Sequence, residues 1–209
     1  CFFDYYAYVS GCNWIIKNCI FDSYFYLNYN DSVIISNCFM LYYVYNSNKS
    51  NVYFRNNIFI GQYSFVNISY ATFENNIFFG SNLASGLTNC VFNNNISYAS
   101  SSQTLPPTNN SGNNNISDTN PLFVNAPPSF TTDITYSNIT TYDFHLQSTS
   151  PCIGTGTGGT DMGIFGGSFP LRDLTGVSVE LPYIKYVNIS NPLVESNKSI
   201  NVKIKAYKR

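Results

Sequence analysis

The stretch "VYFRNNIFIG", residues 52–61, returns nineteen positions later as "ATFENNIFFG", residues 71–80. The same step taken backwards from Asn56 lands on Asn37 in "VIISNCFM" and then on Asn18 in "WIIKNCIF". Beyond these copies, "CFFD" at 1–4 matches "CIFD" at 19–22 with a step of eighteen, and "LTNCVF" at 87–92 aligns with "FENNIF" with a step of fourteen. A period near twenty residues marks a unit that cannot bury its apolar face alone and stacks on its neighbours.

The composition of the unit selects its type. Few Leu and no helical period occur in the repeats, which excludes leucine-rich units. Short β-branched and aromatic runs punctuated by Asn, Ser and Gly are the chemistry of strands and tight bends. Ile16, Ile35, Phe54 and Phe73 fall in one apolar file, and Phe21, Met40, Phe59 and Phe78 in another. Lys17, Ser36, Arg55 and Glu74 fill a polar file beside the first, the alternation a strand requires. A coil of short parallel strands with rungs about 4.8 Å apart follows.

Asn tolerates left-handed backbone angles better than any residue except Gly, and so suits the bend between two strands. Asn18, Asn37, Asn56, Asn75 and Asn89 are expected to form that corner, with their amides hydrogen-bonded from coil to coil. Cys1, Cys19, Cys38 and Cys90 are expected in one neighbouring file, with Asn57 and Asn76 between them. A linear file does not gather the tetrahedral ligand set of a metal site. Adjacent thiols such as Cys19 and Cys38 are near enough for a bridge, but a reduced, buried ladder is the preferred reading.

The repeats, with "NPLFVN" at 120–125 and "DFHLQSTSPCIGTGTGGTDMGIFGG" at 143–167, resemble the C-terminal part of secreted right-handed parallel β-helix proteins of the pectate-lyase-like group. The matching phrases are Pro121 to Phe123, Leu146 to Gly156 and Asp161 to Gly167. The resemblance implies an all-β, right-handed parallel β-helix over residues 1–169, with regular coils at 1–98, a polar excursion at 99–120 and irregular final coils at 121–169. Residues 170–209 read as a short β tail, because "YIKYVNI" and "INVKIKAY" alternate; capping the coil is the preferred role, with pairing to a neighbouring chain or the start of a β-sandwich module as alternatives. Such folds host lyases, hydrolases, adhesins and structural proteins, so the resemblance implies an extracellular or cell-surface location without fixing an activity.

Of 209 residues 10% are charged and the net charge is −1, which argues against a nucleic-acid partner. No apolar run reaches the length of a membrane span. The first residue, Cys1, reads as part of a strand in register with Cys19, with a lipid-modified N-terminus as the alternative. Nine Asn-x-Ser/Thr sequons occur, including Asn95. "GTGTGG" lacks the Lys-Ser/Thr ending of a phosphate loop.

The residues that would support catalysis are sparse. Inverting hydrolysis needs paired carboxylates roughly 6.5–9.5 Å apart, and only Asp4 and Asp22 stack. A calcium-dependent lyase needs clustered carboxylates, and none are in register. His145 reads as structural, and Arg55 with Glu74 as a surface ion pair. No cofactor or metal is expected. Tyrosine carries the functional signal: Tyr6, Tyr24 and Tyr43 align down the coil, as do Tyr8, Tyr26 and Tyr45. Such a strip suits sugar rings or another protein surface. The expectation is a non-catalytic structural, adhesive or binding module whose partners are polysaccharide or surface proteins. A polysaccharide-degrading enzyme is the alternative.

Overall fold

The computed structural model describes residues 2–11, 13–30, 32–46, 51–61, 65–81, 83, 86–99, 103–129, 134–172, 183–189 and 202–207. It divides into two units, Cys1–Arg172 and Asp173–Arg209. The first is a parallel β-solenoid.

Three stacks of parallel strands build it. The first contains Phe2–Phe3, Ile20–Phe21, Phe39–Met40, Ile58–Ile60, Ile77–Phe79 and Ile96–Tyr98. The second contains Ala7–Gly11, Phe25–Asn30, Val44–Asn46 and Phe65–Val66. The third contains Trp14–Lys17, Ser32–Ser36, Asn51–Arg55, Thr72–Glu74 and Val91–Asn93. Register follows the repeat: Phe3 opposes Phe21, Ile16 opposes Ile35, Ile35 opposes Phe54, and Phe59 opposes Phe78.

Like therefore lies over like. Phe54, Phe73 and Phe92 stack with centroids 4.8 and 4.5 Å apart, and Phe59 and Phe78 stack at 4.9 Å. All five are buried in one core that continues through Phe21, Met40 and Ile35. Between Phe73 and Phe92 the step is nineteen, so "LTNCVF" follows the main period and not a step of fourteen. Two expectations fall with that alignment. Cys90 takes the position after Ala71, outside the file of Cys19 and Cys38. Asn89 turns a different corner, shared with Tyr70 (φ 59°) and Asn109 (φ 64°).

The corner between the third and first stacks is as expected in its backbone: Asn18, Asn37, Asn56 and Asn75 have φ of 54°, 53°, 53° and 58°, and Asn94, not Asn89, is the fifth member at 53°. Their amides do not form the coil-to-coil ladder. That ladder belongs to the next residue, because the left-handed corner turns its own side chain outward and returns the following one to the interior. The Oδ1 atoms of Asn57, Asn76, Asn95 and Asn115 accept from the backbone N–H of Cys38, Asn57, Asn76 and Asn95 at 2.9, 2.9, 2.9 and 3.0 Å. Their Nδ2 groups donate to Ile35, Phe54, Phe73 and Phe92 carbonyls at 2.8–2.9 Å. Cys38 continues the file with sulfur as acceptor, taking the N–H of Cys19 at 3.4 Å. Cys19, Cys38, Cys90 and Cys152 are all free thiols, whereas Cys1 and Cys12 lie outside the described residues. Asn95 is fully buried in this ladder and cannot serve as a glycan acceptor in the folded chain.

Residues 109–119, expected within a polar excursion, instead stack as a further coil. Ser111 and Ile116 bridge in parallel to Val91 and Ile96, and Asn113 donates its N–H to Asn93 Oδ1 at 3.0 Å. Its inward Asn110 and Asn115 satisfy the backbone N–H groups of Cys90 and Asn95, where an apolar pair would leave them orphaned.

The first stack is buried on both faces, since Ile20, Phe39, Ile58, Ile77 and Ile96 are as enclosed as the inward Phe21, Met40, Phe59 and Phe78. Residues from 123–125, 143–146 and 162–164 cover the outer face. Phe123–Asn125 pairs antiparallel with Asp143–Leu146, setting Phe123 on Phe79 at 5.3 Å and Phe144 on Phe39 at 5.1 Å. Met162 and Ile164 complete the cover. In the second unit, Tyr183–Ile189 pairs antiparallel with Val202–Tyr207.

The ladder predicts an asymmetry. Asn76→Ala leaves the Asn57 N–H without its acceptor in the interior and removes the amide donor to the Phe54 carbonyl, at a cost of about 2–4 kcal/mol. Asn89→Gly, at an exposed left-handed corner (φ 54°), keeps the backbone angle and costs about 1 kcal/mol or less. Urea unfolding of the two variants measures both.

Candidate binding surface

On the second stack, Tyr8, Tyr26 and Tyr45 sit opposite one another in register. Their rings stack at 4.7 Å and 8°, then 4.9 Å and 20°. Tyr6, Tyr24 and Tyr43 form a second file on the preceding bend, at 5.2 Å with a tilt of 44° and 5.7 Å at 8°. The files touch each other, with Tyr24 and Tyr45 centroids 5.7 Å apart and Tyr6 and Tyr26 6.1 Å apart. The structure brings together all six tyrosines singled out from the sequence.

The mode of stacking decides what the surface offers. Within each file the ring faces cover one another, so the strip turns ring edges and phenol hydroxyls to solvent. Only Tyr6 and Tyr8, the first described rungs, are at least half exposed, at 50% and 63%. Tyr5, 78% exposed, meets Tyr6 edge to face at 6.1 Å and widens the patch. Crowding has an electrostatic mark: desolvation and the neighbouring phenols push Tyr26 and Tyr45 above the ordinary tyrosine range.

The remaining outward Asn side chains carry a different task. Asn94 Nδ2 donates to the Thr155 carbonyl (2.9 Å), Asn75 Oδ1 accepts the Thr157 N–H (2.8 Å), Asn56 Nδ2 donates to Asp161 (3.1 Å), and Asn37 Nδ2 donates to Ile164 and Gly166 (both 2.9 Å). Residues 155–166 thus run back along the solenoid as a strap, one Asn per coil. Glycine is obligatory in it: a Cβ at Gly166 would run into the Asp161 carbonyl, and one at Gly163 would lie 2.7 Å from Ile77 Cδ1.

The polar file stands outward beside the strap, with Arg55 Nε 3.0 Å from Glu74 Oε1, an ion pair of the kind expected. Lys17 Nζ lies 3.3 Å from the Phe169 ring centroid. A groove of about 420 Å³ separates the two, lined by Lys17, Ser36, Arg55 and Glu74 on the solenoid side and Thr157, Thr160 and Phe169 on the strap side. Its solenoid wall was legible as the outward file; its other wall comes from residues more than eighty positions away, which no local pattern announces.

His145 Nδ1 is 2.7 Å from Asp143 Oδ1, and its ring stacks on Phe165 at 3.8 Å. Asp143 also accepts the His145 backbone N–H at 2.9 Å, so the pair closes a local turn. Asp4 and Asp22 follow the stacked Phe3 and Phe21, with Asp22 N–H donating to the Phe3 carbonyl at 2.9 Å. Among the described residues no three His, Cys, Asp or Glu side chains converge as a metal site, and no helix is long and apolar enough to cross a membrane. No family profile, curated protein or solved structure matches the chain.

Burial raises the thiols of Cys38 and Cys90, and pushes Cys152 up to about 12. An unfolded thiol ionises near 9.0 while the folded Cys152 stays protonated to about 12. Unfolding therefore releases protons in this window, and stability present below pH 9 is lost as pH rises through it. The urea midpoint is expected to fall progressively above pH 9, and Cys152→Ala should make that fall shallower.

Proposed function

We propose that the chain is a non-catalytic, extracellular or cell-surface module of right-handed β-helix type, related to the pectate-lyase-like group, that attaches to a polysaccharide or protein surface through its tyrosines. The observation that carries the reading is the double file of six tyrosines held in register on a parallel sheet. Aromatic side chains fixed by their neighbours lose little conformational freedom on binding, and phenols combine apolar area with a hydrogen-bonding tip.

The ring geometry narrows the mode of contact. A sugar stacked face-on needs an uncovered ring, which the stacked rings inside the strip do not offer. Along the strip, hydroxyls repeat at rung spacing and favour a partner with a repeating polar surface. The enzymatic alternative lacks a comparable constellation. Its best pair, Asp143 with His145, is closed into a turn against Phe165, with no second carboxylate beside it among the residues described above.

Sedimentation with insoluble polysaccharides and capture on immobilised extracellular-matrix proteins test the reading. Tyr6→Ala/Tyr8→Ala/Tyr26→Ala is expected to lower retention at least tenfold while leaving the melting temperature within a few degrees. Release of unsaturated or reducing-end products by the parent chain, lost in Asp4→Asn or Asp22→Asn, would instead establish an enzyme.

A further inference from the structure

Two rings of the second stack meet in a geometry that suits bond formation as well as surface contact. Tyr8 and Tyr26 stand opposite each other on Ala7–Gly11 and Phe25–Asn30, with centroids 4.7 Å apart and planes 8° from parallel. The neighbouring phenols do not combine both features so closely. Tyr24 and Tyr42 approach to 4.6 Å but edge to face, Tyr6 and Tyr24 are tilted by 44°, and Tyr24 and Tyr43 are parallel but 5.7 Å apart.

The orientation matters because of where a phenol keeps an unpaired electron. Loss of one electron and the phenolic proton leaves a phenoxyl radical, whose spin occupies lobes perpendicular to the ring on the oxygen and on the carbons ortho and para to it. The para carbon carries the side chain, so the ortho carbons are the ones free to bond. Stacked rings aim these lobes at each other, and holding both on adjacent strands replaces a chance encounter with a fixed approach. Exposure meets the remaining requirement. Tyr8 is 63% exposed and open to an external oxidant, whereas Tyr26 and Tyr45 are partly buried. An electron vacancy made at Tyr8 passes across the stack to Tyr26, and Tyr8 is then oxidised a second time. The next pair in the file, Tyr26 and Tyr45, is 4.9 Å apart at 20° and lacks an exposed member.

We propose that Tyr8 and Tyr26 form an oxidative cross-linking site, in which hydrogen peroxide acting through a haem peroxidase joins the two rings as dityrosine. Each phenol gives up one electron and one proton. The two radicals pair in a single carbon–carbon bond between ortho positions, and each bonded carbon then loses its hydrogen as a proton while its oxygen regains one. The two electrons and two protons released reduce one peroxide to two waters. The bond ties Ala7–Gly11, whose inward Ala7 and Val9 are less enclosed than Phe25 and Leu27, to the next coil. A link of this kind restricts the unfolded chain, as a disulfide does, and raises the urea midpoint. Coupling needs no bound partner and so stands apart from attachment through the strip.

The test treats the whole chain, dilute, with a haem peroxidase and limiting hydrogen peroxide. Dityrosine fluorescence reports coupling, and mass spectrometry locates it after thiols have been reduced and alkylated. Trypsin cuts after Lys17 and Lys49, which places Tyr8 in peptide 1–17 and Tyr26 in peptide 18–49. A linked pair lighter than the sum of the two peptides by two hydrogens is expected, with fragment ions assigning the link to Tyr8 and Tyr26. Its yield should fall about tenfold in Tyr8→Phe, in Tyr26→Phe and in the chain unfolded in urea. Tyr53→Phe should leave it unchanged, because Tyr53 is exposed on the third stack opposite Ile34 and Thr72 and not another tyrosine. Circular dichroism verifies the fold of each variant. Absence of the linked pair overturns the proposal, as does its persistence in either Tyr8→Phe or Tyr26→Phe, equal yield from the unfolded chain, or coupling found only between separate chains.

Discussion

The structure depends on the buried amide ladder at Asn57, Asn76, Asn95 and Asn115. A short coil of β-structure has few apolar residues with which to fix its own register, and a slip of one residue would turn them to the wrong face. The ladder guards against that slip. Each amide accepts a backbone N–H of the preceding coil and donates to a carbonyl of that same coil, and a shift of a single residue would strand several of these groups in the interior, at roughly 1–3 kcal/mol each. The aromatic columns supply most of the burial, while the amides set where each column begins. Cys38 extends the same logic with a weaker acceptor at the other end of the file.

A second constraint follows from the first. Once each coil is pinned, the left-handed Asn before every ladder residue points away from the core at constant spacing, and that regular outward row is what the strap binds. The two Asn of "NNIF" thus have opposite fates: Asn56 holds the glycine-rich segment, Asn57 holds the next coil. The strap then seals the outer face of the first stack and forms one wall of the groove. Fold and candidate sites therefore share one origin, the repetition of a two-residue corner.

Much of this was legible in the sequence. The period, the columns of Ile35, Phe54 and Phe73, the left-handed angle at Asn56 and the tyrosine files all follow from residue type and spacing. The division of labour between Asn56 and Asn57 did not, because both are small amides and only the corner's direction distinguishes them. Cys90 misled: its local context "TNCVF" imitates "NNIF", and the masquerade breaks only when the true step of nineteen carries Phe73 to Phe92. The unalternating run "IFF" at 77–79 already signalled a strand covered on both sides, although the identity of the cover lay far along the chain. Residues 109–119 escaped because their Asn- and Ser-rich composition suits a loop as well as a coil whose inward positions carry amides.

The most direct measurement is an isotope-edited nuclear Overhauser spectrum that locates neighbours of the Asn76 side-chain amide and the Phe73 ring. Stacking predicts contacts from Asn76 to Asn57 and Asn95, and from Phe73 to Phe54 and Phe92, all at a step of nineteen. Contacts at another step, or the cross-strand pattern of an antiparallel meander, would contradict the ladder and with it the surfaces built upon it.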